Sequence, residues 1–224
     1  MTKGKYLSDL YKSIENKSFN VDEAIKFIVD KKREKFDETI EISMNLGIDP
    51  RHADQMVRGV VSLPNGNGKV MKIAVFAKDK KAEEAKQAGA DVTGAEDLAE
   101  DMQKGNLDYD RVIATPDMMG VVGKIGKVLG PKGLMPNPKL GTVTPDVKAA
   151  VDAAKSGHVQ YRAEKTGIVQ AGIGKMSFGS DKLIENVNSF IEAIQKSRPS
   201  GAKGTFIKKI SISSTMGVGI NVNI

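Results

Sequence analysis

The chain has 224 residues, of which 40% are hydrophobic and 28% charged, a composition typical of globular proteins long enough for one or two domains. It contains no cysteine, which excludes disulfides, thiolate metal sites and a cysteine nucleophile and fits a reducing compartment. Its formal net charge of +6 favours an acidic partner, whereas the longest uncharged run, residues 210–224, is too short and polar for a membrane span.

The N-terminal part predicts a helix followed by a strand. Residues 1–20 carry charges throughout, so we expect no signal peptide. Asn20 and Glu23 form a helix-capping pair ahead of apolar residues at helical spacing, which predicts an amphipathic helix over residues 20–33. Apolar residues then alternate over residues 36–46, broken only by Glu38, and this alternation predicts a half-buried strand. Another short strand is predicted at residues 60–64.

Strands and helices alternate in the middle of the chain. We predict strands at 70–77 and 111–115, and helices at 79–90, 95–105, 118–130 and 144–157. In the last of these helices Thr144 is the predicted N-cap, with Pro145 at the first helical position. Such alternation predicts a small parallel or mixed sheet covered by helices.

Strand alternation returns near the C-terminus and sets the predicted domain organisation. Residues 159–174 predict two strands around a turn at 165–167, residues 181–198 an amphipathic helix, and residues 209–213 and 218–224 two more strands. The two chain ends therefore share one pattern and the middle has another. We predict a discontinuous α+β domain, residues 1–66 and 158–224, interrupted by an inserted Rossmann-like, three-layer α/β domain, residues 67–157, with hinges near 66 and 158.

Positive charge is concentrated towards the C-terminus. Residues 1–66 hold 11 basic and 11 acidic side chains, whereas residues 158–224 hold 9 basic and 4 acidic ones. No acid follows Glu192, and residues 118–145 contain none. A solvated basic face and a polyanion-binding surface both explain this charge; the lack of the acids that normally dilute lysine favours the second.

No catalytic constellation is found. The Gly-Lys pairs are never followed by Ser or Thr, so the hydroxyl that holds Mg²⁺ in a P-loop is missing, and no GxGxxG follows the strand at 70–77. His52 and His158 each stand alone, without a second ligand at metal spacing. We therefore predict a binding protein, not an enzyme, with no cofactor, no metal and no catalytic residue. A nucleotide-using α/β enzyme built on the inserted domain is the alternative.

The acid-free stretch carries a glycine–lysine pattern. Gly120, Gly123 and Gly126 recur every third residue, which places them on one side of a helix. Close packing against another helix and a backbone surface open to phosphates both explain this spacing. The GxxG loop of a KH module fits less well, because glycines continue beyond it, but a KH-like single-stranded RNA binder is a further alternative. The lysines predicted as a secondary RNA contact are Lys124, Lys127, Lys132 and Lys139.

Three separated motifs carry a family resemblance. They are KFDETIEISMNLGIDPRHADQMVRGVVSLPNGNGK at 35–69, ATPDMMGVVGKIGKVLGPKGLMPNPKLGTVT at 114–144 and KGTFIKKISISSTMGVGINV at 203–222. In this order they resemble the signature of bacterial-type large-subunit ribosomal proteins of the L-one family, and the likeness runs from about residue 5 to the end. One departure is Ser213–Ser214, where threonine is commoner in the family; the hydroxyls are kept.

The resemblance implies both an architecture and a function. It implies the two-domain arrangement described above, in a cytoplasmic protein that is a monomer when free and otherwise part of the large ribosomal subunit, with no membrane contact. Such proteins bind large-subunit rRNA at the mobile side stalk, next to the exit site for deacylated tRNA, and are involved in release of that tRNA. In bacteria they also repress translation of their own operon by binding its mRNA.

The resemblance also places the main RNA contacts on the discontinuous domain. The predicted rRNA- and mRNA-binding residues are Lys35, Phe36, Thr39, Lys165, Ser211, Ser213, Thr215, Met216 and Gly217. Small hydroxyl donors on a fixed strand suit folded RNA, which presents 2′-hydroxyls and shape. Two of these predictions have a second explanation in the residues themselves: Phe36 continues the apolar alternation of its strand and fits core packing, and residues 214–217 fit a plain turn.

Overall fold

The structure is a computed structural model that describes residues 5–14, 19–31 and 35–223. The helices of these residues are α1 (Lys5–Ile14), α2 (Val21–Asp30), α3 (Asp79–Gln87), α4 (Glu96–Gln103), α5 (Met119–Lys124), α6 (Gly126–Leu129), α7 (Val147–Lys155) and α8 (Ser180–Lys196). The strands are β1 (Thr39–Leu46), β2 (Arg58–Ser62), β3 (Ile73–Phe76), β4 (Val92–Gly94), β5 (Arg111–Ala114), β6 (His158–Arg162), β7 (Ile168–Lys175), β8 (Ile207–Ser214) and β9 (Ile220–Val222). The predicted mixed α/β class is confirmed. Within these residues no helix has both the length and the apolar character that crossing a membrane requires.

The chain falls into two compact units. The split unit comprises Met1–Gly68 and Val159–Ile224, and the inserted unit comprises Lys69–His158. Each has its own hydrophobic core.

The split unit is built on an antiparallel sheet with the strand order β7-β1-β8-β9. In β1 the alternate residues Ile40, Ile42, Met44 and Leu46 are all buried, as the period-2 pattern predicts. The inner face of the sheet packs in one core with α2 and α8, whose apolar stripe includes Phe190. The polar residues of the same strands therefore lie on the opposite, outer face.

A buried amide joins three segments of the split unit. The side chain of Asn186, on α8, is fully buried, and its oxygen accepts the backbone N–H of Asn65 at 3.1 Å. Its nitrogen donates to the carbonyls of Gly66 and Ile173, each at 2.9 Å. A buried polar group with its partners satisfied holds those partners in one arrangement. The end of the loop at residues 63–66 is thereby fixed against α8 and β7.

The inserted unit has three layers. Its sheet has the order β4-β3-β5 with parallel pairing throughout. All four residues of β3 are buried because both faces are covered, as parallel sheets require. Ala74 and Phe76 pack in one core with α4, α5 and α6, whereas Ile73 and Val75 pack in another with α3 and α7.

Two helix predictions in this unit are wrong. The N-cap of α7 is Asp146, whose carboxylate accepts the N–H of Ala149 at 3.1 Å, and not Thr144, whose hydroxyl instead accepts the N–H of Asp146 at 3.2 Å. Residues 118–130 do not form one helix, because the chain breaks at Ile125 between α5 and α6. Gly123 and Gly126 flank this break, and glycine is a poor helix former in the interior of a helix.

The two strands flanking the turn at residues 165–167 belong to different sheets. Gly167 adopts a φ of +79°, and its N–H donates to the carbonyl of Glu164, which closes the turn as predicted. The carbonyl of Gly167 accepts the N–H of Leu46, which brings β7 beside β1. β6 pairs with β2 instead, so the segment is not a two-stranded ladder.

Several charged side chains of the inserted unit form hydrogen bonds at the start of β5. The hydrogen bond from the Lys69 ammonium, 2.5 Å from the Asp110 carboxylate, lowers the pKa of Asp110, and the N–H of Lys72 adds to this effect at 3.1 Å. The buried guanidinium of Arg111 donates to the carbonyl of His158, and burial lowers the pKa of Arg111. Burial, followed by the charge of Arg111, lowers the pKa of His158.

Candidate nucleic-acid interface

The outer face of the four-stranded sheet is polar and accessible to solvent. Its partly or fully exposed residues are Glu41, Ser43, Asn45, Gln170, Lys209, Ser211, Ser213 and Asn221. The register sets Ser43 directly opposite Ser211, and Ser211 opposite Asn221. The hydroxyl of Ser211 donates to the side-chain oxygen of Asn221 at 3.0 Å. Two of the predicted RNA contacts, Ser211 and Ser213, thus lie on one fixed face of neighbouring short polar groups.

Thr39 and Thr215 meet at one end of this face. Thr215 follows the last residue of β8, and its hydroxyl oxygen accepts the backbone N–H of Thr39 at 3.1 Å. The same hydroxyl lies 3.4 Å from the carbonyl oxygen of Thr39, to which it donates. The side chain of Thr215 therefore replaces the backbone pairing that would continue the β1–β8 ladder. Two residues 176 positions apart form one rigid polar corner.

A buried carboxylate holds the loop that follows Thr215. Glu38 is only 3% exposed, and one of its oxygens accepts the N–H of Met216 at 3.2 Å. The same residue's carbonyl accepts the N–H of Met176 at 2.9 Å. Glu38 broke the apolar alternation of the strand because its side chain serves this loop and not the core. Sequence reasoning missed it; the break in the pattern was the available signal.

Gly217 packs closely against Ser214 within the loop. Its N–H donates to the carbonyl of Ser214 at 3.2 Å, and an added Cβ would collide with the hydroxyl oxygen of Ser214, which is buried. The glycine thus lets the 214–217 turn close tightly on itself. Packing against Ser214 is thus a role of Gly217 within the protein, beside the RNA contact that the resemblance implies for it.

Two large apolar side chains are exposed beside the corner. Phe36 is 48% exposed and Met216 is 56% exposed, so core packing does not explain Phe36. The segment before β1 is held by Asp37, whose carboxylate accepts the N–H and the hydroxyl of Ser177 at 3.0 and 2.7 Å. Lys35 is also exposed. Exposed aromatic and thioether groups on a held segment suit stacking against ribose or a base.

Lys175 is a second residue that sequence reasoning missed. It lies directly opposite Thr39 in the β1–β7 register, and its ammonium donates to the Thr39 hydroxyl at 2.7 Å. Its stem packs over Gly68, where an added Cβ would lie 2.8 Å from the Lys175 Cγ. No local pattern announces this contact, because the pairing of β1 with β7 creates it.

Lys165 lies at the other end of the sheet. It is exposed on the turn between β6 and β7, next to the strand end where Asn45 pairs with Ile168. At the rise of a strand, about 20 Å separate that end from Thr39. Lys165 lines a cleft of about 890 Å³ together with Pro50, Arg51, Met56, Arg162, Ala163, Glu164 and Thr166. The structure thus does not bring Lys165 together with the corner at Thr39 and Thr215.

Acids are closer to the C-terminal tail than the sequence suggested. Glu41 is exposed on the outer face, directly opposite Ser213, although no acid follows Glu192 along the chain. Lys203, Lys208 and Lys209 are exposed as expected. Strand pairing therefore adds the exposed carboxylate of Glu41 to this region, beside the buried carboxylate of Glu38 at Met216.

The glycine–lysine stretch of the inserted unit presents an open surface. An added Cβ at Gly120 or Gly123 would meet nothing within 4 Å, which contradicts close helix–helix packing at these two positions. Lys124, Lys127 and Lys132 are exposed. The backbone of Lys139 belongs to a 3₁₀ turn at Pro138–Leu140, and its side chain lies outside what the structure describes.

Comparison with protein families finds one family that the chain matches. Residues 22–218 match the model of the Ribosomal protein L1p/L10e family, so the match includes most of the chain. The corner at Thr39 and Thr215, the loop at Met216 and the glycine–lysine stretch all lie inside the matched range.

Proposed function

Because the chain belongs to the Ribosomal protein L1p/L10e family, we propose that the outer face of its split unit binds a folded rRNA element at the mobile side stalk of the large ribosomal subunit. Membership itself makes the chain a large-subunit ribosomal protein that binds rRNA, and not an enzyme. The resemblance drawn from the three sequence motifs is thereby confirmed. The location at the side stalk, next to the exit site for deacylated tRNA, belongs to the proposal.

The observation that carries the proposal is the preformed corner at the end of the sheet. Its polar groups are held by protein contacts before any ligand arrives: Thr215 by the backbone of Thr39, and Met216 by Glu38. Groups that are already fixed lose little conformational entropy on binding. Hydroxyls of this kind match the 2′-hydroxyls and unpaired bases of folded RNA, and Phe36 and Met216 add exposed apolar surface.

The lysines and the corner have different roles in the proposed binding. Lys35, Lys165 and the lysines of the tail supply attraction to phosphates that falls with rising salt, whereas the corner supplies discrimination between RNA structures. The predicted contacts Ser211, Ser213 and Gly217 extend or shape the same surface. The split unit is accordingly the main RNA-binding domain of the proposal, with domain boundaries near residues 66 and 158.

The proposal extends to two further RNA partners and a cellular setting. An mRNA from the protein's own operon that folds like the stalk would occupy the same corner, so excess free protein would repress its own translation. The exposed Lys124, Lys127 and Lys132, beside the open backbone at Gly120 and Gly123, would contact the tRNA leaving the exit site. The free protein is a cytoplasmic monomer in this proposal.

A titration of the full chain against RNA tests the proposal. The probes are a side-stalk fragment of the large-subunit rRNA and a random RNA duplex of equal length, each at a series of salt concentrations. We expect both affinities to fall with salt and the preference for the stalk fragment to persist throughout. Equal affinity for the two RNAs at every salt concentration would leave only a generic basic surface.

A further inference from the structure

The two threonine hydroxyls of the corner differ in the hydrogen bonds that they can still make to a ligand. The hydroxyl of Thr215 donates its single hydrogen to the carbonyl of Thr39 and accepts the N–H of the same residue. A hydroxyl has one hydrogen and two lone pairs, so Thr215 has only an acceptor position left for a ligand. Thr39 differs, because its hydroxyl oxygen uses one lone pair to accept from Lys175 and keeps its hydrogen for another acceptor.

A lysine ammonium donates hydrogen bonds and has no acceptor. At 2.7 Å from Lys175, the Thr39 oxygen must use a lone pair towards the lysine and direct its own hydrogen elsewhere. Among the residues that the structure describes, the hydrogen-bond partner of this hydroxyl is Lys175 alone. Thr39 is only half-buried, so a ligand can approach the hydroxyl and accept this hydrogen.

From this we infer that Lys175 is a positioning residue that makes the Thr39 hydroxyl a hydrogen-bond donor to an acceptor oxygen of the bound RNA. The inference rests on the proposed function. A charge-assisted bond of this kind also polarises the hydroxyl and strengthens the bond that it donates. The stem of Lys175, packed over Gly68, holds the ammonium in place. The corner then offers a donor at Thr39 beside an acceptor at Thr215, which matches groups that both accept and donate, such as ribose 2′-hydroxyls.

A double-mutant cycle on the full chain tests the inference. The variants are Lys175→Met, Thr39→Val and the two combined, titrated against the side-stalk rRNA fragment at several salt concentrations. We expect Lys175→Met to weaken binding about tenfold in the wild-type background and less than about twofold when Thr39 is already valine. Lys175→Arg, which keeps a donor-only group, should retain most of the affinity.

The salt dependence separates positioning from direct contact. A lysine that neutralises a phosphate reduces the slope of log affinity against log salt by about one when it is removed. We expect Lys175→Met to leave the slope unchanged. Lys209→Met removes an exposed lysine of the same face and is the comparison for a lysine that contacts phosphate directly. Additive effects of Lys175→Met and Thr39→Val would overturn the inference, and so would a reduced slope or an unchanged affinity of Lys175→Met.

Failure of the inference and failure of the proposed function give different results. If the wild-type chain does not prefer the stalk fragment over a random duplex, the proposed function fails. If the wild type prefers the fragment but the cycle is additive, only the role of Lys175 fails. Thermal unfolding of each variant confirms that it is folded. Should Lys175→Met not fold, the same cycle is run with Lys175→Leu, which also removes the donor to Thr39.

Discussion

Replacement of Thr215 by valine removes a hydroxyl that works on both the protein and the RNA side of the corner. Valine keeps the branched shape and the volume of threonine. The N–H and the carbonyl of Thr39 both lose their partner, at 3.1 and 3.4 Å. The remaining acceptor position of the hydroxyl, which faces the ligand in the proposed function, disappears as well.

The two consequences differ in size. Thr215 is exposed, so water replaces part of what Thr39 loses, and we expect the free energy of unfolding to fall by only about 0.5–1.5 kcal/mol. In the complex, water is excluded and a polar RNA group is left without a partner. We expect the affinity for the stalk rRNA fragment to fall by about 1–3 kcal/mol, which is about 5- to 150-fold.

Fluorescence anisotropy with a labelled stalk fragment measures the affinity, and urea unfolding measures the stability. Thr215→Ser is the matched control, since it keeps the hydroxyl and loses only a methyl group; its affinity should stay within about threefold of wild type. Unchanged affinity of Thr215→Val would move the binding site away from this corner. Equal losses in the serine and valine variants would show that the methyl group, and not the hydroxyl, matters.

Two further predictions concern the inserted unit. The pKa of His158 is lowered in the folded protein, so the unfolded chain binds a proton more readily and the free energy of unfolding falls as the pH drops below about 6.5. His158→Gln should therefore lose less stability than wild type between pH 7 and pH 5. Urea unfolding at several pH values measures this, and parallel pH profiles of the two proteins would refute it. Gly123→Ala should raise the free energy of unfolding by about 0.5–1 kcal/mol, because the added Cβ meets nothing within 4 Å inside α5. Gly130→Ala, whose Cβ would lie 2.9 Å from the carbonyl oxygen of Gly126, should lower it, and a loss of stability at Gly123 itself would mean that this glycine is packed.

Several elements could be predicted from the sequence because their pattern is local. The alternation of Ile40, Ile42 and Met44 predicts β1, since only one register places all of them in the core. The apolar stripe of α8 is equally plain. Helix ends were less predictable: Thr144 and Asp146 are both good capping residues, and the hydrogen bond to Ala149 selects the second.

The candidate site was predictable only in part. Thr39 and Thr215 were identified through the resemblance to a family, whereas residue patterns alone left Phe36 divided between core packing and an RNA contact. Glu38 and Lys175 were missed because their roles depend on the neighbours that they acquire in the sheet. Lys165 was grouped with the corner, although the strand direction places it at the opposite end.

Periodicity and motif order are carried by neighbouring residues, so the segments that bury a face, the mixed α/β class and the family can be read from the sequence. The meeting of polar groups from distant segments depends on how the whole chain folds. The contact between Thr39 and Thr215 spans 176 positions, and the Lys175 contact depends on a β1–β7 register that shifts at Ile40 and Glu41. Strand register is set by the packing of the whole core, so no local stretch of sequence encodes the donor and acceptor arrangement of the corner.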